Sequence, residues 1–126
     1  MSDWCYNTIT FESDDDLDAF FSVICDDDNS INFDNIIPEP TTLESNERTF
    51  WRNKNWGTKW TSKPERFEQR IEFATANTPP VGIYRKLVEI LPDIKFVVTF
   101  SEQAAGISGR FIATGDGDFF EELETN

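Results

Sequence analysis

Two sets of residues have types and spacings that suggest chemistry. The first is carboxylate: Asp14, Asp15, Asp16 and Asp18, then Asp26, Asp27 and Asp28. The second lies between Trp51 and Trp60, where Trp51, Trp56 and Trp60 alternate with Arg52, Lys54 and Lys59. The two sets imply opposite partners. Aspartates with no cations among them carry the charge of a polynucleotide and attract a cationic protein surface. Aromatic rings beside guanidinium and ammonium groups stack bases and hold phosphates, as single-strand binders do. Each set also has a plainer use. Aspartates in a first helical turn oppose the helix dipole and stay solvated. Tryptophans fill the gap between an excursion of chain and a sheet, their indole N–H groups finding backbone acceptors.

Catalysis has little to work with. The chain contains no histidine, which removes the usual base at neutral pH. No nucleophile elbow, P-loop, C-x-x-C or zinc spacing occurs. Cys5 and Cys25 have acidic neighbours, which raise a thiol pKa rather than activate it. Asp26-x-Asp28-x-Ser30 opens like a calcium-binding loop, but it lacks glycine at the sixth position and has Ile37 at the twelfth. Asp116-x-Asp118 is equally thin. The expectation is a protein without enzymatic activity, metal or cofactor.

The charge layout sharpens the carboxylate reading. Through residue 47 there are 13 Asp and Glu and no Lys or Arg. Residues 48–95 hold 10 basic and 5 acidic side chains, and residues 96–126 hold 1 and 6. The net charge of -13 is therefore segregated. Ordinary soluble surfaces mix the two signs. Duplex DNA carries one charge per roughly 1.7 Å of axis, and about eleven helical residues span roughly 16 Å, so a helix flanked by these aspartates imitates part of a phosphate path.

The elements that must position these residues follow from periodicity. The 126 residues suit one domain with a real core. Trp4 to Phe11 reads as a strand with Cys5, Asn7, Ile9 and Phe11 on one face and Trp4, Tyr6, Thr8 and Thr10 on the other. Ser13 caps a helix whose stripe is Leu17, Phe20, Phe21 and Ile24, ending near Cys25. Ile31 to Ile37 reads as a second strand, stopped by Pro38 and Pro40. Thr41-Thr42-Leu43-Glu44 fits a capping box, predicting a helix to about Asn53 that buries Leu43, Phe50 and Trp51. Phe67 to Thr75 alternates as a strand. Pro79-Pro80 opens a helix with Val81, Tyr84, Leu87, Val88 and Leu91 on its apolar face, and Pro92 closes it. Ile94 to Phe100 and Ile107 to Ala113 make a hairpin across Gln103 to Gly106.

The order β-α-β, insert, β-α-β-β predicts an α+β fold, a ferredoxin-like α/β plait. It has an antiparallel sheet, two helices on one face, and an insert of about 41–63 between strands 2 and 3. The domain covers 1–115, and the acidic tail, 116–126, is expected to fray, the alternative being that Phe119, Phe120 and Leu123 dock. No apolar run reaches 18 residues and MSDWCYN has no secretory pattern, so a cytoplasmic location in a reducing compartment is expected. Free thiols at Cys5 and Cys25 fit that location, although sequence leaves a disulfide between them open.

Several landmarks resemble the YubB-type ferredoxin-like domains of phages and plasmids. They are Trp4-Cys5-x-Asn7, FDNIIPEP (Phe33 to Pro40), WRNKNWGTKW (Trp51 to Trp60) and IEFATANTPP (Ile71 to Pro80), in that order over most of the chain. Asn77 stands where the family has an aromatic. The resemblance implies the fold and a mobile-element origin, and it implies no mechanism. With the segregated acidity it leads to an accessory protein that blocks a host defence or nucleic-acid-handling protein, in the manner of an anti-CRISPR or DNA mimic. The partner would be a host protein with a basic nucleic-acid-binding surface, met through Asp14, Asp15, Asp16, Asp18, Asp26, Asp27 and Asp28, with no direct nucleic acid and no membrane. The alternative is a single-strand nucleic-acid or nucleotide binder built on Trp51, Arg52, Trp56, Lys59 and Trp60.

Overall fold

The computed structural model describes residues 3–125. It is an α+β protein with a six-stranded antiparallel sheet and three α-helices. In chain order the elements are β1 (Trp4–Thr10), α1 (Asp14–Ile24), a 3-10 turn (Phe33–Asn35), α2 (Ser45–Asn55), β2 (Glu65–Phe67) and β3 (Arg70–Ala76). Then come α3 (Val81–Ile90), β4 (Lys95–Glu102), β5 (Ile107–Thr114) and β6 (Phe119–Thr125). The strand order is β2-β3-β1-β4-β5-β6, every neighbouring pair antiparallel.

One face of the sheet is buried beneath α1 and α3. Alternation decides which side chains go there. Cys5, Asn7 and Ile9 of β1, Ile71, Phe73 and Thr75 of β3, Phe96, Val98 and Phe100 of β4, and Phe111 and Ala113 of β5 all point inward. Ser13 accepts from the Asp16 N–H at 3.1 Å and starts α1, as its sequence predicts. Leu17, Phe20 and Ile24 enter the core, while Phe21 lies half-buried at its edge. Helix α3 contributes Ile83, Tyr84, Leu87 and Val88. Phe20 and Tyr84 both meet Phe96, at 5.5 and 6.2 Å between ring centroids, so the two helices share one aromatic core.

A buried polar chain runs through it. The Tyr84 hydroxyl donates to Asn7 Oδ1 at 3.0 Å, Asn7 Nδ2 donates to Thr75 Oγ1 at 3.1 Å, and the Thr75 hydroxyl donates to the Thr78 carbonyl at 2.7 Å. Each buried donor thereby finds an acceptor.

Four expectations are corrected. Ile31 to Ile37 is no strand. The Asn32 side chain accepts from the Asp34 N–H at 3.0 Å and the backbone tightens into the 3-10 turn, leaving a single bridge between Cys25 and Ile31. The segment joining α1 to β2 therefore contains no sheet strand, and no insert separates a second strand from a third. Phe67 to Thr75 is two strands, because Gln69 takes φ +59 and reverses the chain, leaving Phe67 exposed. Helix α2 starts later than Thr42. Its first-turn Glu47 carboxylate accepts from the Glu44 N–H at 3.1 Å, and Phe50 is 69% exposed, leaving Trp51 as the anchor. Finally, the acidic tail pairs with β5 from Ala113↔Phe119 to Ile107↔Thr125. Phe119 stacks on Phe111 at 5.7 Å, which supplies the burial that a frayed tail would lack. Asn126 lies outside the described residues.

Candidate functional site

The aspartate set lies along and beyond α1. Asp14, Asp15 and Asp18 are exposed on its outer face, and Asp26, Asp27 and Asp28 are exposed past its C-terminus. Asp16 turns toward the sheet, where its Oδ2 accepts from the Lys95 N–H at 3.3 Å. Asp26 braces the loop by accepting from Asn32 and Asn35 Nδ2, both at 3.0 Å. Asp28 accepts from the Ser30 N–H, and that hydrogen bond holds its carboxyl below the usual range. The calcium-like segment is thus a turn closed by its own hydrogen bonds.

Two cations reach this surface from distant elements. Arg66 of β2 pairs with Asp18, and its guanidinium lies 5.2 Å from the Phe21 ring centroid. Lys95 pairs with Glu12 at 3.1 Å. The acidic track is therefore interrupted at mid-helix. Asp14, Asp15, Asp16, Asp26, Asp27 and Asp28 make no ion pair among the described residues. The carboxylate excess survives at both ends of α1.

The tryptophan set has a different fate. NWGTKW is a staple between α2, the end of β3 and the start of α3. Asn55 Nδ2 donates to the Trp51 carbonyl at 2.9 Å and closes α2. Trp56 is buried, its Nε1 donating to the Ile37 carbonyl at 2.8 Å, with Phe33 and Trp51 edge-on at 5.4 and 5.6 Å. Gly57 has φ +96, and a Cβ there would lie 2.7 Å from the Pro79 carbonyl. Only glycine allows this approach of two backbones. Thr58 is fully buried and donates to the Ala76 carbonyl at 2.8 Å. Trp60 packs edge-on against Trp4 at 4.5 Å and is 37% exposed.

The basic members of that set divide. Arg52 is clamped by Glu39, whose side chain is only 5% exposed, and reaches the Lys59 carbonyl at 3.3 Å. Its hydrogen bonds, helped by those of Arg48, bring Glu39 down to about 2 against the cost of burial. The same pairing raises Arg52. Lys54, Lys59 and Lys63 make no ion pair among the described residues. Trp51, Arg52 and Trp56 are brought together, engaged by packing and the Glu39 clamp, while Trp60 packs on Trp4 instead.

Sequence reasoning missed a cleft of about 580 Å³ between the start of α3 and the far end of the β4-β5-β6 region. Its signal was present in β4, where Phe96, Val98 and Phe100 are followed at the same spacing by Glu102. Both cysteines are free thiols. Burial pushes Cys5 up to about 12, and burial with the Asp26 and Asp28 charges pushes Cys25 up to about 11. Both shifts favour the protonated thiol over the thiolate at neutral pH. Among the described residues no helix is long and apolar enough to cross a membrane. No family model, curated protein or solved structure matches the chain.

Proposed function

We propose that the protein is a non-enzymatic accessory protein of a phage or plasmid that acts in the host cytoplasm. It binds a basic surface on a host defence or nucleic-acid-handling protein and blocks it. The observation that carries this reading is the carboxylate excess at the two ends of α1, which Arg66 and Lys95 reduce without cancelling. The ends of this helix are separated by roughly 15 Å, a distance over which duplex DNA presents several phosphates. A cationic groove would meet Asp14 and Asp15 at one end and Asp26, Asp27 and Asp28 at the other. The order β2-β3-β1-β4, with α1 and α3 on one face, supports reading the fold as a ferredoxin-like plait to which β5 and β6 are added. The alternative, a single-strand binder, is less favoured because Arg52 and Trp56 already have partners within the protein.

The test is affinity capture from host lysate at low and high salt, with the wild type and an Asp14→Asn/Asp15→Asn/Asp27→Asn variant. A nucleic-acid-binding protein should be retained at low salt, released by salt and by duplex DNA, and lost with the variant. Recovery of no such protein at low salt, or equal recovery with the variant, ends the proposal. Quenching of tryptophan fluorescence by short oligonucleotides would favour the alternative.

A further inference from the structure

The cleft beside α3 has a chemistry of its own. Phe100 and Phe111 form its floor, stacked at 4.9 Å and 15°. The Phe100 ring lies across Gly109, where a Cβ would come within 2.9 Å of it. Pro79 and Val81 form the wall, and Leu123 of β6, 69% exposed, forms part of the rim. The volume of about 580 Å³ is in the range of small-molecule sites, whose walls are mostly apolar with a few placed polar groups.

Its polar lining consists of Asn53, Asn77 and Thr78, which are neutral, and two acids, Glu102 and Glu121. Glu102 continues the inward row of β4, so the sheet directs a carboxylate to the end of its buried face, in register with Cys5 and Ile107. It makes no ion pair among the described residues. Burial raises its pKa, the expected result for a shielded acid without a counter-charge. Glu121, the second acid of the lining, is taken by Arg85 at 2.8 Å from α3. No lysine or arginine lines the cleft among the described residues. A neutral ligand would desolvate Glu102 without compensation, and an anion would oppose it.

We propose that this cleft binds a small organic cation with an apolar body, its ammonium group on Glu102 and its hydrocarbon over Phe100 and Phe111. The site is separate from the first turn of α1. Glu102 lies seven residues along β4 from Lys95, whose N–H meets Asp16, a run of roughly 24 Å.

The test is a two-dimensional amide NMR titration with phenethylamine, phenethyl alcohol and phenylacetate at neutral pH. Phenethylamine should shift the amides of Phe100, Glu102, Ile107 and Leu123. The alcohol and the acid should bind at least about ten-fold more weakly, the equivalent of about 1.4 kcal/mol. Glu102→Gln should lose about ten-fold for the amine while keeping a folded spectrum, and the Asp14→Asn/Asp15→Asn/Asp27→Asn variant should bind it unchanged. Equal binding of amine and alcohol by the wild type, shifts centred on Trp4 and Trp60, or no shift at about 10 mM amine would overturn the assignment. The comparison of amine with alcohol needs no variant, so a failure of Glu102→Gln to fold leaves the test intact.

Discussion

Replacing Glu39 by Gln removes one charge from the point where the chain before α2 is tied to α2 itself. The carboxylate accepts from Nε and Nη2 of both Arg48 and Arg52. The Arg48 side chain is 50% exposed, and such a pair contributes at most about 1 kcal/mol. Arg52 is 27% exposed and faces a carboxylate that is 5% exposed, so its charge-assisted hydrogen bonds contribute about 1.5–3 kcal/mol. Gln keeps one acceptor oxygen and turns an amide donor toward a guanidinium. The net loss at pH 7 should be about 2–3 kcal/mol, or about 8–12 °C in Tm for a chain of this size. Glu39 has a depressed folded-state pKa. Its contribution is therefore complete above its ordinary value of 4.5 and disappears as pH falls toward about 2. Thermal unfolding followed by circular dichroism from pH 7 downward should show the wild-type and Glu39→Gln curves converging below pH 4.5. A Tm difference under about 2 °C at pH 7 would refute the reasoning, as would a difference that stays constant down to pH 2.

Trp56→Phe leaves the Ile37 carbonyl without its indole donor at 2.8 Å and should cost about 1–3 kcal/mol in a urea unfolding curve. Tyr84→Phe strands Asn7 Oδ1 in the core and should cost a similar amount, about 1–3 kcal/mol, with unchanged far-ultraviolet circular dichroism. Alkylation by iodoacetamide at pH 8 should be slow for both thiols, because burial raises Cys5 to about 12 and Cys25 to about 11. Mass spectrometry of the native protein should find half-buried Cys25 modified before Cys5, and Cys5 modified at a useful rate only after denaturation.

The sequence by itself determined the elements whose pattern is local. Alternation in Trp4 to Phe11 separated the two faces of β1, and alternation in Ile94 to Phe100 marked β4 as a strand. The Ser13 cap and the Leu17, Phe20 and Ile24 stripe placed α1, and Pro80 and Pro92 bracketed α3. These signals lie within a few residues of one another, so they act without knowledge of the rest of the chain. Tertiary structure decided what depends on a distant partner. Ile31 to Ile37 has strand-like composition, yet the Asn32 side chain offers the backbone a nearer hydrogen bond. Phe119–Thr125 reads as a solvated acidic tail until β5 supplies its backbone partners and Phe111 its packing surface. Asp18 is neutralised by a residue 48 positions away, and Arg52 by one 13 positions away, so the sequence could not apportion charge between surface and clamp. The same holds for Glu102: its spacing is visible in β4, but the cleft around it exists only where α3, β5 and β6 converge. Local pattern sets which way a side chain points; the energy of a charge or a ring depends on which groups the fold brings to meet it.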